Sequence, residues 1–137
     1  MSCASQPEAS STGQAHSASP WLDARYEVNQ AAYEAQVRLV GFEPGWHVLD
    51  AGCGSGSFLP QLAELTGPDG RLEAFDLAPD NIAVVEGRRQ TWDFASRVST
   101  CTGSILQLPY DDATFDAVWC ANTTQYLSND ELAIALS

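Results

Sequence analysis

One stretch constrains this chain more than any other: Val48-Leu49-Asp50-Ala51-Gly52-Cys53-Gly54-Ser55-Gly56. The apolar run Trp46-His47-Val48-Leu49, closed by Asp50, has the length and bounds of a buried strand. A glycine at every second position then forces a tight turn. Beyond it, Ser57 can cap a helix whose apolar face is Phe58, Leu59, Leu62 and Leu65, with Pro60 tolerated in the first turn. A strand, glycine turn and helix in that order place backbone amides of a helix start beside a surface that no Cβ obstructs.

The rest of the chain continues the alternation. Leu22, Tyr26, Tyr33, Val37 and Val40 recur at helical spacing, with Gly41 just past the end and Glu43-Pro44-Gly45 as a turn. The segment 71–76 alternates as a second strand, and Pro79 opens a helix with Ile82, Val85, Trp92 and Ala95 on its apolar stripe. Residues 97–102 read as a third strand, 108–112 as a loop, 115–120 as a fourth strand, and 130–136 as a last helix. Strands alternating with helices predict an α/β, doubly wound, Rossmann-like parallel sheet. Residues 1–20, rich in Ser, Ala and Gln, hold too little large apolar surface to offset ordering entropy. A disordered tail, with His16 in it, is expected there, followed by one domain over 21–137.

Charge narrows the partners. The 137 residues carry 18 acidic against 6 basic side chains, a formal charge of −12, and every basic residue is Arg. Without a Lys there is no phosphate-binding P-loop and no Schiff-base chemistry. Such an acidic chain is a poor fit to nucleic acid or to anionic membranes. No apolar run is long enough for a membrane span, and the N-terminus lacks the pattern of a secretory signal. Cys3, Cys53, Cys101 and Cys120 lack zinc-type spacing and are read as reduced thiols of a cytoplasmic protein.

Which ligand would the glycine turn take? The dinucleotide pattern G-x-G-x-x-G is met at Gly52 and Gly54, but its last position is Ser57, and the third glycine comes one residue early at Gly56. Asp50 at the strand end would repel a phosphate by about 1 kcal/mol at 4 Å in water, and by more where partly buried. The same carboxylate favours an ammonium or sulfonium group. A second acid, Asp76, ends the next strand twenty positions after Gly56, where an acidic residue accepts from ribose hydroxyls. A ribose, a positive charge and no required phosphate are all features of S-adenosylmethionine.

Here the sequence resembles a known family. VLDAGCGSGSF is similar to the first motif of the class I S-adenosylmethionine-dependent methyltransferases. The segment 103–110, followed by 111–118, resembles their third-strand loop and fourth strand, most closely in the small-molecule branch that includes quinone-biosynthesis methyltransferases. The resemblance spans about residues 22–137. It implies that Asp50 and the backbone of Gly52, Gly54 and Gly56 hold the methionine part of the cofactor. It also implies that Asp76 binds the ribose, Leu77 lies beside the adenine, Ser104 and Ile105 lie at the adenine edge, and Asn122 lies near the cofactor's amino group.

Two positions depart from the family pattern. Ser104 stands where the family usually has an Asp that contacts the adenine amine, and Ala78 stands where a Ser often caps the helix, a loss of about 1 kcal/mol. Structural readings compete at several positions. The glycine loop could be only a tight turn, Asp76 a surface carboxylate, Ser104 and Ile105 plain loop residues, and Asn122 a turn former. Tyr26 and Tyr33 are read as core packing, with closure over a methyl acceptor as the alternative. Arg88 and Arg89 are read as a solvated helix face, His47 as structural and Cys53 as a packing residue.

The expected function is methyl transfer to a small-molecule acceptor, with no catalytic residue assigned. The alternatives are a non-catalytic interaction protein that keeps the fold and, more remotely, an NAD-dependent oxidoreductase. The resemblance implies a seven-stranded sheet, and four strands are read here. A C-terminally truncated enzyme is therefore expected, its fourth strand open to a partner chain or to self-association.

Overall fold

The computed structural model describes residues 18–137. The expected tail, with His16 and Cys3, lies outside the described residues apart from its last few positions. Helix α1 spans Ser19–Leu39, with Pro20 in its first turn and Gly41 in the left-handed region just beyond its end. It starts slightly before the first apolar residue of its stripe, because a proline in the first turn has no helical hydrogen bond to lose.

Strand β1 is His47–Ala51, helix α2 Leu59–Thr66, strand β2 Arg71–Asp76 and helix α3 Pro79–Arg89. Strands β3 and β4 are Val98–Thr102 and Ala117–Trp119, and helix α4 is Asn129–Ala135. The order of helices and strands is the expected one. Several local readings change. Ser57 does not cap α2, whose N-cap residue is Phe58 with no side-chain bond; the Ser57 hydroxyl lies 3.3 Å from that of Ser55 instead. Helix α3 ends at Arg89, so Trp92 and Ala95 lie beyond it, where the Trp92 ring stacks on Phe94 at 4.9 Å. Strand β4 is shorter than 115–120, because only three of its residues pair with β1. Ala78 caps α3 without a side-chain bond, as its methyl group requires.

All strands are parallel, in the order β3-β2-β1-β4. Burial explains the register. Val48, Leu49, Asp50 and Ala51 are all buried because β1 is central and covered on both faces. Val48 joins Leu72, Ala74, Leu59, Leu62, Val85 and Val37 on the face covered by the three larger helices. Leu49 and Ala51 point the other way, to Phe75 and Cys101, beneath Ile105, Leu108, Tyr110 and Phe115. Each fully buried Leu or Phe of these layers contributes about 1.5–3 kcal/mol.

The chain leaves β1 toward β2 and β3 on one side, then returns to place β4 on the other. That reversal opens a crevice at the carboxyl ends of β1 and β4, where open α/β sheets take their ligands. His47 sits at the opposite end of β1 with its ring 4.7 Å from Phe115, a packing position. Among the described residues Cys53 and Cys120 carry free thiols. Among the described residues no helix is long and apolar enough to cross a membrane.

Candidate functional site

The turn after β1 is held to β2 by backbone bonds: the amides of Gly52 and Cys53 both donate to the Phe75 carbonyl, at 2.7 and 2.9 Å. Gly52 has φ 76° and Gly54 φ 55°, left-handed values that glycine adopts without steric cost. Both also meet close neighbours. A Cβ on Gly52 would collide with the Thr123 side chain, and one on Gly54 would lie 2.7 Å from Leu22 Cδ1. The glycines therefore admit side chains from the loop after β4 and from α1.

Two depressions meet at this turn. The main one is bordered by the glycine turn and Asp76 on one side and by Leu22, Arg25, Tyr26 and Tyr33 of α1 on the other, with Asn122 and Thr123 at its rim. The second runs along Leu77, Gly103, Ser104 and Ile105, facing Leu127 and Glu131. Gly52, Asp76, Thr123 and Tyr126 border both. An elongated ligand lying across Gly52 would occupy the pair.

Two carboxylates dominate the electrostatics. Asp76 is 4% exposed, and burial raises its pKa against the opposing pull of its hydrogen bonds. Its Oδ2 accepts the Gly54 amide at 2.8 Å, and its Oδ1 accepts the Ala78 amide at 2.9 Å and Asn81 Nδ2 at 3.4 Å. A carboxylate offers about four lone-pair sites, so these three donors leave room for one ligand hydroxyl. Asp50 lies beneath the turn, 1% exposed, with Oδ2 lacking any partner among the described residues. Burial, with the negative charge of Asp76 adding to it, pushes its pKa up to about 8. A buried carboxylate without a counter-charge is costly, and a nearby cation would relieve it.

Helix α1 is tied down over the turn. Asp23 accepts Ser55 Oγ at 2.6 Å and a two-pronged contact from Arg88 at 2.6 and 3.1 Å, while Arg88 also donates to the Ser55 carbonyl at 3.0 Å. Burial works to raise the Asp23 pKa, but these donors outweigh it and hold the group below its ordinary value. Arg88 is thus a cross-link between α3, the glycine turn and α1, not the solvated residue expected from its place in α3. Arg89, by contrast, pairs among the described residues with Glu86 of its own helix. Tyr26 and Tyr33 stack at 5.7 Å and meet the Phe58 edge at 5.1 and 5.3 Å; they pack on the core and also border the main depression.

Of the residues singled out in the sequence, Gly52, Gly54, Asp76 and Asn122 border the main depression. Leu77, Ser104 and Ile105 border the second. Asp50 and Gly56 border neither: Asp50 is covered by the turn, and Gly56 faces Leu59 and Val85 inside the fold. Ser104 uses its hydroxyl locally, accepting the Leu106 amide at 3.2 Å. Sequence reasoning missed Leu22, Arg25, Asn81, Thr123 and Tyr126. The α1 residues lie in sequence before the first strand, and no local pattern announced that this helix crosses the turn.

The match to known proteins agrees with this geometry. Residues 48–137 match the family model described as a methyltransferase domain. The chain belongs to this methyltransferase family. Among relatives, it is 33% identical over 93 residues to a demethylmenaquinone methyltransferase of Alkalihalophilus pseudofirmus, covering 68% of this chain and 39% of the relative. It is 28% identical over 93 residues to the demethylmenaquinone methyltransferase of Bacillus mycoides, with the same coverage. The chain thus spans about two fifths of the length of these relatives. In fold it is similar to a SAM-dependent methyltransferase from Aquifex aeolicus, with a TM-score of 0.67 and 23% identity over 75% of this chain and 55% of the other. The site's chemistry is compatible with the family's cofactor: a carboxylate anchored at the border of both depressions, and a buried carboxylate oxygen, Asp50 Oδ2, without a partner among the described residues.

Proposed function

We propose that this chain is the cofactor-binding portion of an S-adenosylmethionine-dependent methyltransferase acting on a small-molecule acceptor, with residues 21–137 as its folded unit. The observation that carries the reading is the pair of acids at the left-handed glycine turn: Asp76 anchored at its border, and Asp50 sealed beneath it with Oδ2 lacking a partner among the described residues. When bound, S-adenosylmethionine supplies a methyl group activated by positively charged sulfur.

The chain's own residues then have separate tasks. Gly52 and Gly54 form the left-handed turn and admit the Thr123 and Leu22 side chains that border the ligand's site. Asp76 accepts from a ribose hydroxyl, and Asp50 offsets the positive charge through the turn. Leu77, Ser104 and Ile105 flank the adenine, and Asn122 lies near the amino group. Tyr26, Tyr33 and Phe58 exclude water from the mouth. Transfer from an activated donor depends mainly on alignment and desolvation, and good orientation is worth roughly 7–11 kcal/mol. No general base is assigned, since His47 lies at the far end of β1.

The relatives' names support a small acceptor of the quinone class. The acidic composition disfavours nucleic acid. The outer edge of β4, with Val118 more than half exposed, is offered as a surface for a partner chain or self-association. A cytoplasmic location belongs to the same proposal, and the free thiols of Cys53 and Cys120 favour it. Calorimetric titration with S-adenosylmethionine and with NAD tests the cofactor. Binding of the first and not the second is expected, and the reverse would overturn the proposal.

A further inference from the structure

Asp50 Oδ2 is not the only buried polar atom without a partner among the described residues. Trp119 Nε1, on the neighbouring strand β4, is another. Asp50 and Trp119 stand opposite each other in the parallel pairing of β1 with β4. Side chains alternate faces along a strand. Val48 lies in the core beneath the three larger helices while Leu49 and Ala51 point the other way, so Asp50 shares the Val48 face. Trp119 packs against that same core, its ring 5.3 Å from Phe58 and 6.4 Å from Phe42. The two side chains are therefore neighbours on one face of adjacent strands, which lie roughly 4.8 Å apart.

The two atoms are chemically complementary. An indole N–H only donates, and an ionised carboxylate only accepts. Each gives up hydration on burial and regains nothing while unpaired. Neither is within direct hydrogen-bond distance of the other, since neither has a partner. One water is the smallest group that satisfies both, because its oxygen accepts and its hydrogens donate.

We propose that one buried water joins Trp119 Nε1 to Asp50 Oδ2 beneath the glycine turn, and that Trp119 is thereby a positioning residue that favours the charged form of Asp50. The indole donates to the water oxygen, and the water donates to the carboxylate. A hydrogen bond to the charged form of an acid favours that form. The bond opposes the burial and the negative charge of Asp76 that work against ionisation. Other titratable groups surround Asp50. Cys53 lies in the turn and Cys120 just after β4, both with thiols pushed up by burial. Helix α1 brings Tyr26 and Tyr33 against Phe58, and Arg88 of α3 reaches the turn at the Ser55 carbonyl while paired with Asp23. The consequence for ligand binding rests on the cofactor reading above, in which Asp50 offsets a positive charge; the water link belongs to the ligand-free chain.

The test is heteronuclear NMR of the isotope-labelled full chain. The chain has four tryptophans, so its indole N–H signals are few. Trp119→Phe keeps an aromatic ring against Phe58 and assigns the Trp119 signal by its loss. Should that variant not fold, Phe substitutions of Trp21, Trp46 and Trp92 assign it by elimination. In the ligand-free wild type, the Trp119 indole N–H is expected to show a cross-peak to water with the sign of a long-lived bound molecule, and to titrate together with the Asp50 carboxyl. In Asp50→Asn that titration is lost. In Trp119→Phe the Asp50 midpoint moves to higher pH, and calorimetric affinity for S-adenosylmethionine falls about 2- to 10-fold, the span of one hydrogen bond. Absence of the water cross-peak in the wild type overturns the bridge. An indole signal that does not follow Asp50, or an Asp50 midpoint unchanged in Trp119→Phe, overturns the positioning role. Failure of the wild type to bind S-adenosylmethionine overturns the cofactor reading alone, because the signals of the ligand-free chain still decide the link.

Discussion

Asp76 Oδ2 accepts the backbone N–H of Gly54 at 2.8 Å, joining the carboxyl end of β2 to the glycine turn after β1. The bond sets the shape of the turn before any ligand arrives, and leaves the carboxylate at the border of both depressions. Asp76→Ala removes this anchor together with the ribose acceptor. Calorimetry should show S-adenosylmethionine affinity reduced at least about tenfold, with Asp76→Asn less affected. Unchanged affinity in Asp76→Ala would remove the ribose role.

Asp50 makes stability depend on pH. Its pKa is raised from 3.8 to about 8 in the folded chain, so between those values the folded state holds a proton that the unfolded state has lost. The contribution is fully present below the unfolded pKa and is lost as pH rises through the folded one. Denaturation midpoints of the ligand-free chain should therefore fall from about pH 5 to pH 8. Asp50→Asn should flatten that slope. Ligand binding near pH 7 should release protons, read as a dependence of the calorimetric heat on buffer.

The Asp23–Arg88 pair holds α1 across the turn, with side chains 28% and 39% exposed. Partial exposure limits its worth to about 1 kcal/mol. A denaturation double-mutant cycle with Asp23→Ala and Arg88→Ala should return a coupling of that order. The Asp23 pKa is lowered, so this contribution is present above the unfolded value of 3.8 and is lost as pH falls below it. A zero coupling at neutral pH and low salt would remove the cross-link.

Gly52→Ala should cost about 1–2 kcal/mol for its left-handed backbone alone, and more because the new methyl must displace Thr123. Adding Thr123→Gly should recover the steric part and leave the backbone part. Urea denaturation of the single and double variants separates the two.

Val118→Lys places a charge on the outer edge of β4, where the native side chain is 56% exposed. Sedimentation velocity should show less self-association than wild type at equal concentration. A wild-type chain that is monomeric throughout would exclude that edge as a self-association surface.

The alternation of helices and strands, the glycine turn and the acids at the ends of β1 and β2 could all be read from the chain. Each depends on short-range physics: a two-residue period in a strand, a helical stripe, a turn that requires glycine. The errors arose where a long-range partner overrides local preference. Ser57 looks like a cap, yet its hydroxyl lies beside Ser55. Arg88 looks solvated on its helix, yet Asp23, 65 positions away in sequence, takes its fork.

By itself, then, the sequence determined the parallel α/β order and the carboxylates under a glycine turn, because local spacing specifies backbone conformation and side-chain polarity. Only the tertiary structure decided that Asp50 is sealed beneath the turn while Asp76 borders it. It alone placed α1 across the opening with Arg25 at the pocket wall. Those outcomes depend on which distant surfaces meet when the core closes, and burial and charge pairing between elements leave no periodic trace in the chain.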